Sequence, residues 1–104
     1  MSETIPVVNN EAARRFEARL GDEVAFAEYR LADGVIILPH TVVPEAFAGK
    51  GVGGQLAKAA LSYAREQGLE VVPTCPFIAA YVTKHPEWHD IVQQDCRETL
   101  GIEG

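Results

Sequence analysis

Apolar and polar residues alternate along much of the first 43 positions, and the alternation predicts strands. In residues 15–20 the apolar side chains fall on one face of an extended chain and the charged ones on the other, and in residues 23–31 one face carries Ala25, Ala27, Tyr29 and Leu31. A period of two is typical of a strand with one buried face. Residues 35–43 are nearly all apolar, which predicts a strand covered on both faces. Glycine-containing turns separate the three segments and would join them in antiparallel order.

A proline at position 39 interrupts the third of these strands. Proline has no N–H to donate to a neighbouring strand, so it is confined to strand edges and bulges. The sequence therefore predicts a bulge or a splayed edge at Pro39.

The second half of the chain changes to a helical period. Apolar residues recur three and four positions apart over residues 52–67, which predicts an amphipathic helix. Residues 69–72 follow as a short buried strand, and a proline in the first turn favours a second helix over residues 76–84. The pattern then weakens. We expect one further turn over residues 88–92 and a frayed tail beyond Asp95.

These elements predict an α+β fold with a mostly antiparallel mixed sheet, a glycine-started helix and a second helix. At 104 residues the chain is expected to form a single small domain, residues 1–104, with its core at about residues 15–92. A domain of this size buries only about 60–65% of the surface of its unfolded chain. It leaves no room for a separate substrate domain.

Composition excludes several classes of function. The net charge of −6 argues against nucleic-acid binding, which needs a basic face. No apolar run has the length of a membrane span or the form of a signal peptide, so we expect a cytoplasmic protein with no membrane partner. Cys75 and Cys96 show no metal-ligand spacing with the three histidines, and no metal site is expected.

Four glycines lie within residues 49–54, at the beginning of the predicted helix. No Ser, Thr, Asp or Asn caps that helix, so its first N–H groups are open to an anion where the helix dipole is positive. Lys50 adds a cation beside them. The plainer alternative is a tight, flexible turn, but the number and placement of the glycines favour a phosphate-binding segment.

The identity of the phosphate ligand can be narrowed by context. Gly49, Gly51 and Gly54 fit the spacing of a dinucleotide-binding loop, with Glu70 about twenty residues further on. That loop follows a parallel strand directly, whereas residues 44–48 intervene here and the preceding strands form hairpins. A P-loop is excluded because no Ser or Thr follows the lysine.

The order of hairpins, buried strand, glycine turn, helix and strand resembles the GCN5-related N-acetyltransferases. Their acetyl-coenzyme A motif has Arg or Gln, two residues, Gly, one residue, and Gly or Ala; Ala48 departs from its first position. A compact subfamily of about this length resembles the chain over residues 16–92. Four segments carry that resemblance: HTVVP at 40–44, GKGVG at 49–53, VPTCP at 72–76 and HPE at 85–87. Subfamily members often have Glu where this chain has Val42.

The resemblance implies a minimal N-acyltransferase fold that binds acetyl-coenzyme A. The pyrophosphate would lie on the glycine segment, and the pantetheine arm between the strands at residues 35–43 and 69–72. Backbone groups after the suspected bulge would stabilise a developing oxyanion. The residues expected to bind the cofactor are Val42, Val43, Gly49, Lys50, Gly51, Val52, Gly53 and Gly54.

Three side chains are candidates for catalysis, each with a structural alternative. Cys75 precedes a helix N-terminus, which favours a reactive thiolate, but it could be an inert core cysteine. His40 could act as a general base towards an amine, or lock the bulge by hydrogen bonding. Tyr81 resembles the tyrosine that protonates the departing coenzyme A thiolate in larger relatives, although its helical spacing from Phe77 also fits the core.

The predicted function is transfer of an acetyl group from acetyl-coenzyme A to an amine on a small molecule or a protein, directly or through Cys75. We expect a monomer or a weak homodimer. Two alternatives stay open: a module that binds acyl-coenzyme A with little or no turnover, and a dinucleotide-binding protein.

Overall fold

Five strands form one sheet, and their order in the sheet is their order in the chain. The computed structural model describes residues 6–47, 49 and 51–101. The strands are β1 (Val7–Asn10), β2 (Arg15–Leu20), β3 (Glu23–Ala32), β4 (Val35–Val42) and β5 (Glu70–Val72). The first four are antiparallel, and β5 runs parallel to β4. The α+β class and the mixed, mostly antiparallel sheet are confirmed.

Three α-helices follow the first four strands. They are α1 (Val52–Gln67), α2 (Pro76–Lys84) and α3 (Gln94–Leu100), with shorter 3-10 helices at Glu45–Phe47 and Pro86–Ile91. The predicted bounds of the first two helices are confirmed. Within the part of the chain that the structure describes, no helix is long and apolar enough to cross a bilayer.

Helix α1 packs on one face of the sheet. Its fully buried Leu56 and Ala60 belong to the same apolar cluster as Ala25 and Ala27 of β3. The small β3 side chains leave space for the helix, and the bulk of the core comes from larger residues around them. Those residues include Phe16, Ile36, Leu38, Leu61, Val71, Ile78 and Val82.

The other face of β4 is only partly covered, so the prediction of a strand buried on both faces was wrong. Ile36 and Leu38 are fully buried, whereas Ile37 and Val42 are half-buried and His40 is exposed. The reason is that both α1 and α2 pack on the Ile36 face of the sheet. We refer to the opposite side as the open face.

The bulge predicted at Pro39 is present. Glu28 of β3 pairs with His40 and Arg30 pairs with Ile37, so two residues of β4 lie opposite one residue of β3. This extra residue changes which side chains point to which face, because directly paired residues in an antiparallel sheet share a face. Beyond the bulge, Thr41 pairs with the buried Ala27. It therefore faces the helices, and its neighbour His40 faces the open side.

Residues Gln94–Leu100 form helix α3, so the prediction of a frayed tail beginning after Asp95 was wrong. Val92 forms a parallel bridge with Val71, and the Gln93 N–H donates to the carbonyl of Val71 (2.9 Å). The Arg97 side chain donates to the carbonyl of Val92 (2.9 Å). These bonds extend the sheet edge into α3, and Gly101 ends the helix in a left-handed conformation.

Glu17 forms a charged cluster on the open face of β2. Its side chain is only 5% exposed and accepts hydrogen bonds from Arg15, Arg19 (3.2 Å) and Asn10 (3.2 Å). The Arg15 guanidinium also lies 4.5 Å from the centre of the Phe26 ring. Burial raises the pKa of Glu17, but the hydrogen bonds from Arg15 and Asn10 outweigh it, and the pKa lies below its ordinary value of 4.5.

We predict that Glu17→Gln lowers the free energy of unfolding by about 1 kcal/mol at pH 7, as expected for a partly exposed hydrogen-bonded ion pair. Because the folded-state pKa is depressed, the carboxylate stabilises the fold above the unfolded-state pKa and loses this contribution as pH falls through the folded-state value. Urea unfolding of the parent protein and of Glu17→Gln at pH 7 and pH 3 measures this contribution to the free energy of unfolding. A difference between the two proteins that is equal at both pH values would contradict the assignment.

Candidate functional site

The glycine segment makes a turn that leaves the beginning of α1 bare. Gly49 and Gly51 both adopt left-handed backbone conformations, with φ of 75° and 69°. Gly51 is the N-cap of α1, and no described side chain caps the helix. The Gln55 N–H makes the first helical bond, to the carbonyl of Gly51 (3.1 Å). The N–H groups of the three residues between them have no acceptor within the helix.

A groove of about 430 Å³ lies above this turn, where the end of β4 meets the N-termini of α1 and α2. Its walls are apolar side chains and bare glycine backbone. Val43 is 40% exposed and Phe77 43% exposed, so both present apolar surface in the groove. The groove is lined by Thr41, Val43, Phe47, Gly49, Gly51, Val52, Gly53, Gly54 and Phe77.

Gly53 lies directly against the Phe77 ring. A Cβ on Gly53 would lie 2.6 Å from the ring's Cζ atom, closer than any real contact. At Gly54 a Cβ would lie 3.6 Å from the Tyr81 ring, an ordinary contact. The first turn of α1 therefore lies directly against α2, with backbone rather than side chains at the groove.

Cys75 lies at the junction of β5 and α2, and it is 5% exposed. Its N–H donates to the carbonyl of Leu38 (2.8 Å), which ties it to β4, and its Sγ lies 3.5 Å from Thr41 Oγ1. Burial raises the pKa of the Cys75 thiol, but the Thr41 hydroxyl and the amides of Ile78 and Phe77 outweigh this and bring the pKa below its ordinary value. The sulfur makes no capping hydrogen bond of standard geometry to α2. These amides therefore act mainly as dipoles at the helix N-terminus.

His40 lies on the open face, on the other side of β4 from Cys75. It pairs with Glu28, and its ring centre is 6.3 Å from that of Phe26. The structure thus does not bring His40 and Cys75 together. A base at this position would act on an acceptor that approaches from the open face.

Tyr81 lies behind the groove, next to Gly54. Its ring stacks on His85 at a centre-to-centre distance of 4.0 Å. Burial raises the pKa of Tyr81, and the nearby Glu87 carboxylate raises it further. The phenol is therefore a proton donor rather than a phenolate at neutral pH. Its role as an acid remains a prediction.

The remaining residues predicted to bind the cofactor do not all line the groove, and one of them lies outside the described residues. The Val43 side chain lines the groove, whereas the Val42 side chain pairs with Phe26 on the open face. Only backbone groups of Val42 are available to a ligand in the groove. Lys50, like Ala48, lies outside the described residues.

Sequence reasoning did not single out three residues of the groove wall: Thr41, Phe47 and Phe77. Thr41 belongs to the HTVVP segment, but its direction depends on the bulge. Phe47 is buried at the end of a 3-10 helix before the glycine turn. Among the residues that the structure covers, no group of three His, Cys, Asp or Glu side chains is placed to hold a metal ion.

Comparison with known families gives one match that covers most of the chain. The family model described as GCN5-related N-acetyl-transferase matches residues 15–91. This range runs from β2 to the 3-10 helix after α2 and includes the whole groove.

Individual proteins are also similar to this chain over most of its length. Protein NATD1 of Xenopus tropicalis is 34% identical over 88 residues, which cover 82% of this chain and 81% of that protein. Protein NATD1 of Homo sapiens is 34% identical over 85 residues, covering 79% and 75%. A solution structure from Staphylococcus aureus, of a GCN5-like protein named for an expected N-acetyltransferase activity, has a TM-score of 0.68 at 27% identity. It covers 86% of this chain and 88% of that one.

Proposed function

Because this chain belongs to the GCN5-related N-acetyltransferase family, we propose that it binds acetyl-coenzyme A in the groove and transfers the acetyl group to an amine. The acceptor is an amine on a small molecule or a protein. Acetyl-coenzyme A supplies the acetyl group as an activated thioester; the other roles belong to residues of the chain.

The observation that carries this proposal is the bare N-terminus of α1. Uncapped N–H groups after Gly51 point out of a helix whose dipole is positive at this end, a setting that favours a diphosphate. The glycines at positions 49, 51 and 53 fit such a ligand for separate reasons: two take a left-handed conformation and one lies against the Phe77 ring. Lys50 would add a cation beside the phosphates.

The rest of the groove suits a long, mostly apolar arm. Val43, Phe47 and Phe77 supply apolar surface along it. We expect backbone groups of Val42 and Val43, beyond the β4 bulge, to hydrogen-bond amides of such an arm and a thioester oxygen. The thioester would lie towards Thr41 and Cys75.

Two routes of transfer are open to these residues. In the direct route the acceptor nitrogen, deprotonated by His40 or water, attacks the thioester carbon. In the covalent route the Cys75 thiolate attacks first, the carbon–sulfur bond to coenzyme A breaks, and the acetyl group passes from Cys75 to the amine. In either route coenzyme A leaves as a thiolate, and Tyr81 is the candidate to protonate it.

A second function, a binding module with little turnover, is favoured by the chemistry of the groove wall. The described residues that line the groove carry no side chain that titrates near neutral pH. His40 lies on the open face and Cys75 is buried behind Thr41. Binding therefore has more support from the geometry than proton transfer has.

Calorimetric titration with acetyl-coenzyme A, coenzyme A and NAD tests the binding. A thiol-release assay over a panel of polyamines, amino acids and lysine peptides tests the transfer. We expect micromolar or tighter binding of both coenzyme A compounds and none of NAD, with release above background for one amine class. Binding without release would support the binding module. Preference for NAD, or no binding at all, would refute the proposal.

A further inference from the structure

Thr41 lies between the groove and the Cys75 sulfur. It lines the groove, and its Oγ1 atom is 3.5 Å from Cys75 Sγ. Cys75, by contrast, is 5% exposed and is not part of the groove wall. Thr41 therefore both lines the groove and contacts the sulfur.

The β4 bulge is the reason that a threonine occupies this place. Without the extra residue at Leu38 and Pro39, the side chain of residue 40 would follow Leu38 onto the helix-facing side, and Thr41 would point to the open face. With the bulge, Thr41 pairs with Ala27 on the helix-facing side. The bulge thus places the Thr41 hydroxyl, rather than the His40 ring, beside Cys75.

Two hydrogen bonds to one backbone carbonyl hold the partners at this separation. The Cys75 N–H and the Thr74 hydroxyl both donate to the carbonyl of Leu38, at 2.8 Å and 3.4 Å. Leu38 is fully buried, so the point on β4 to which the Cys75 backbone is tied has little freedom to move. The sulfur and the hydroxyl are therefore held together by the fold and not only by their own contact.

We infer that Thr41 is the positioning residue for Cys75: its hydroxyl holds the sulfur directly behind the groove wall and hydrogen-bonds to it in the thiolate form. In the thiol form the S–H donates to Oγ1; once the proton has passed to solvent, the hydroxyl turns and donates to the sulfur. The inference concerns the covalent route and so rests on the proposed function.

The groups that favour the thiolate are neutral. They are the Thr41 hydroxyl, the backbone N–H of Thr41, and the amides of Phe77 and Ile78 at the beginning of α2. Of these, only the hydroxyl can be removed by a substitution that keeps the size of the side chain. Thr41→Val replaces it by a methyl group, and Thr41→Ser keeps it.

The test is a spectroscopic titration of the Cys75 thiolate in the absence of any coenzyme. Cys96→Ser serves as the background, so that Cys75 is the remaining cysteine of the sequence, and Cys75→Ser in that background is subtracted. We expect Thr41→Val to raise the titration midpoint by about one pH unit, a tenfold smaller thiolate fraction at pH 7. Thr41→Ser should stay close to the parent protein. Far-ultraviolet circular dichroism and thermal unfolding confirm that each variant is folded.

An unchanged midpoint in folded Thr41→Val would overturn the inference, as would a shift of equal size in Thr41→Ser. Acetyl-coenzyme A binding, measured on the same variants, separates this result from the proposed function. If no variant and no parent protein binds the coenzyme, the proposed function fails while the titration still decides the role of Thr41. If all of these proteins bind acetyl-coenzyme A and their thiolate titration midpoints are equal, only the proposed role of Thr41 fails.

Discussion

Replacing Gly51 with glutamate is expected to abolish binding of acetyl-coenzyme A and to leave the fold intact. A Cβ at Gly51 meets nothing within 4 Å, so the new side chain points into open space at the helix N-terminus. Its φ of 69° adds about 1 kcal/mol of backbone strain for a residue other than glycine. The carboxylate would occupy the uncapped N–H groups and repel the pyrophosphate, weakening binding by about 100-fold or more, or about 3 kcal/mol.

Two variants separate charge from strain and size in that experiment. Gly51→Gln has the same shape and the same φ but no charge, so it should lose far less affinity than Gly51→Glu in calorimetric titration. Gly34→Glu adds the same charge at another position with a left-handed backbone and open space (φ 68°), and it should bind normally. Equal affinity of Gly51→Glu and the parent protein would show that the pyrophosphate lies elsewhere.

The parts of the fold that the sequence predicts well are those where one local pattern decides the element. The apolar period of residues 52–67 and the flanking glycines define α1 without help from other segments, and Pro76 marks the beginning of α2. The bulge at Pro39 is predictable for the same reason, since a missing N–H is a property of one residue.

The parts that it does not predict depend on partners far away in the chain. Strand β1 is four residues long and includes two asparagines, yet it is held at the sheet edge by pairing with β2. Asn9 also accepts a hydrogen bond from the Tyr29 hydroxyl (2.8 Å). Helix α3 similarly depends on the bridge between Val92 and Val71. Neither contact can be predicted from the local sequence.

In the candidate site, too, features set by the local sequence were predicted and features set by distant contacts were not. The glycine turn and its bare N–H groups were expected from residues 49–54 alone. Which side chains share the groove was not, because the bulge determines that Thr41 faces the helices and His40 the open side. A strand without a bulge would place His40 on the helix-facing side of β4, beside Cys75. A single extra residue therefore decides which of the catalytic candidates can act together.

This separation has a consequence for the acceptor. If His40 takes part, the amine must approach from the open face. There His40 is paired with Glu28, and its ring centre lies 6.3 Å from that of Phe26. If Cys75 takes part, the acetyl group is first held on the helix-facing side. Trapping the acetyl group on Cys75 is the most direct way to distinguish the two routes.

Brief exposure of the protein to acetyl-coenzyme A is expected to leave one acetyl group on Cys75, and Cys75→Ser should lose this adduct completely while keeping its affinity for the coenzyme within about twofold. The sulfur lies behind the groove wall, so its loss removes no contact of the pyrophosphate. Intact mass and peptide mapping measure the adduct, and calorimetry the affinity. Cys96→Ser is the matched control, because burial raises the pKa of the Cys96 thiol and the neighbouring Asp95 raises it further, which disfavours its thiolate form. An adduct that persists in Cys75→Ser, or none in the parent protein during turnover, would leave direct attack by the amine as the route.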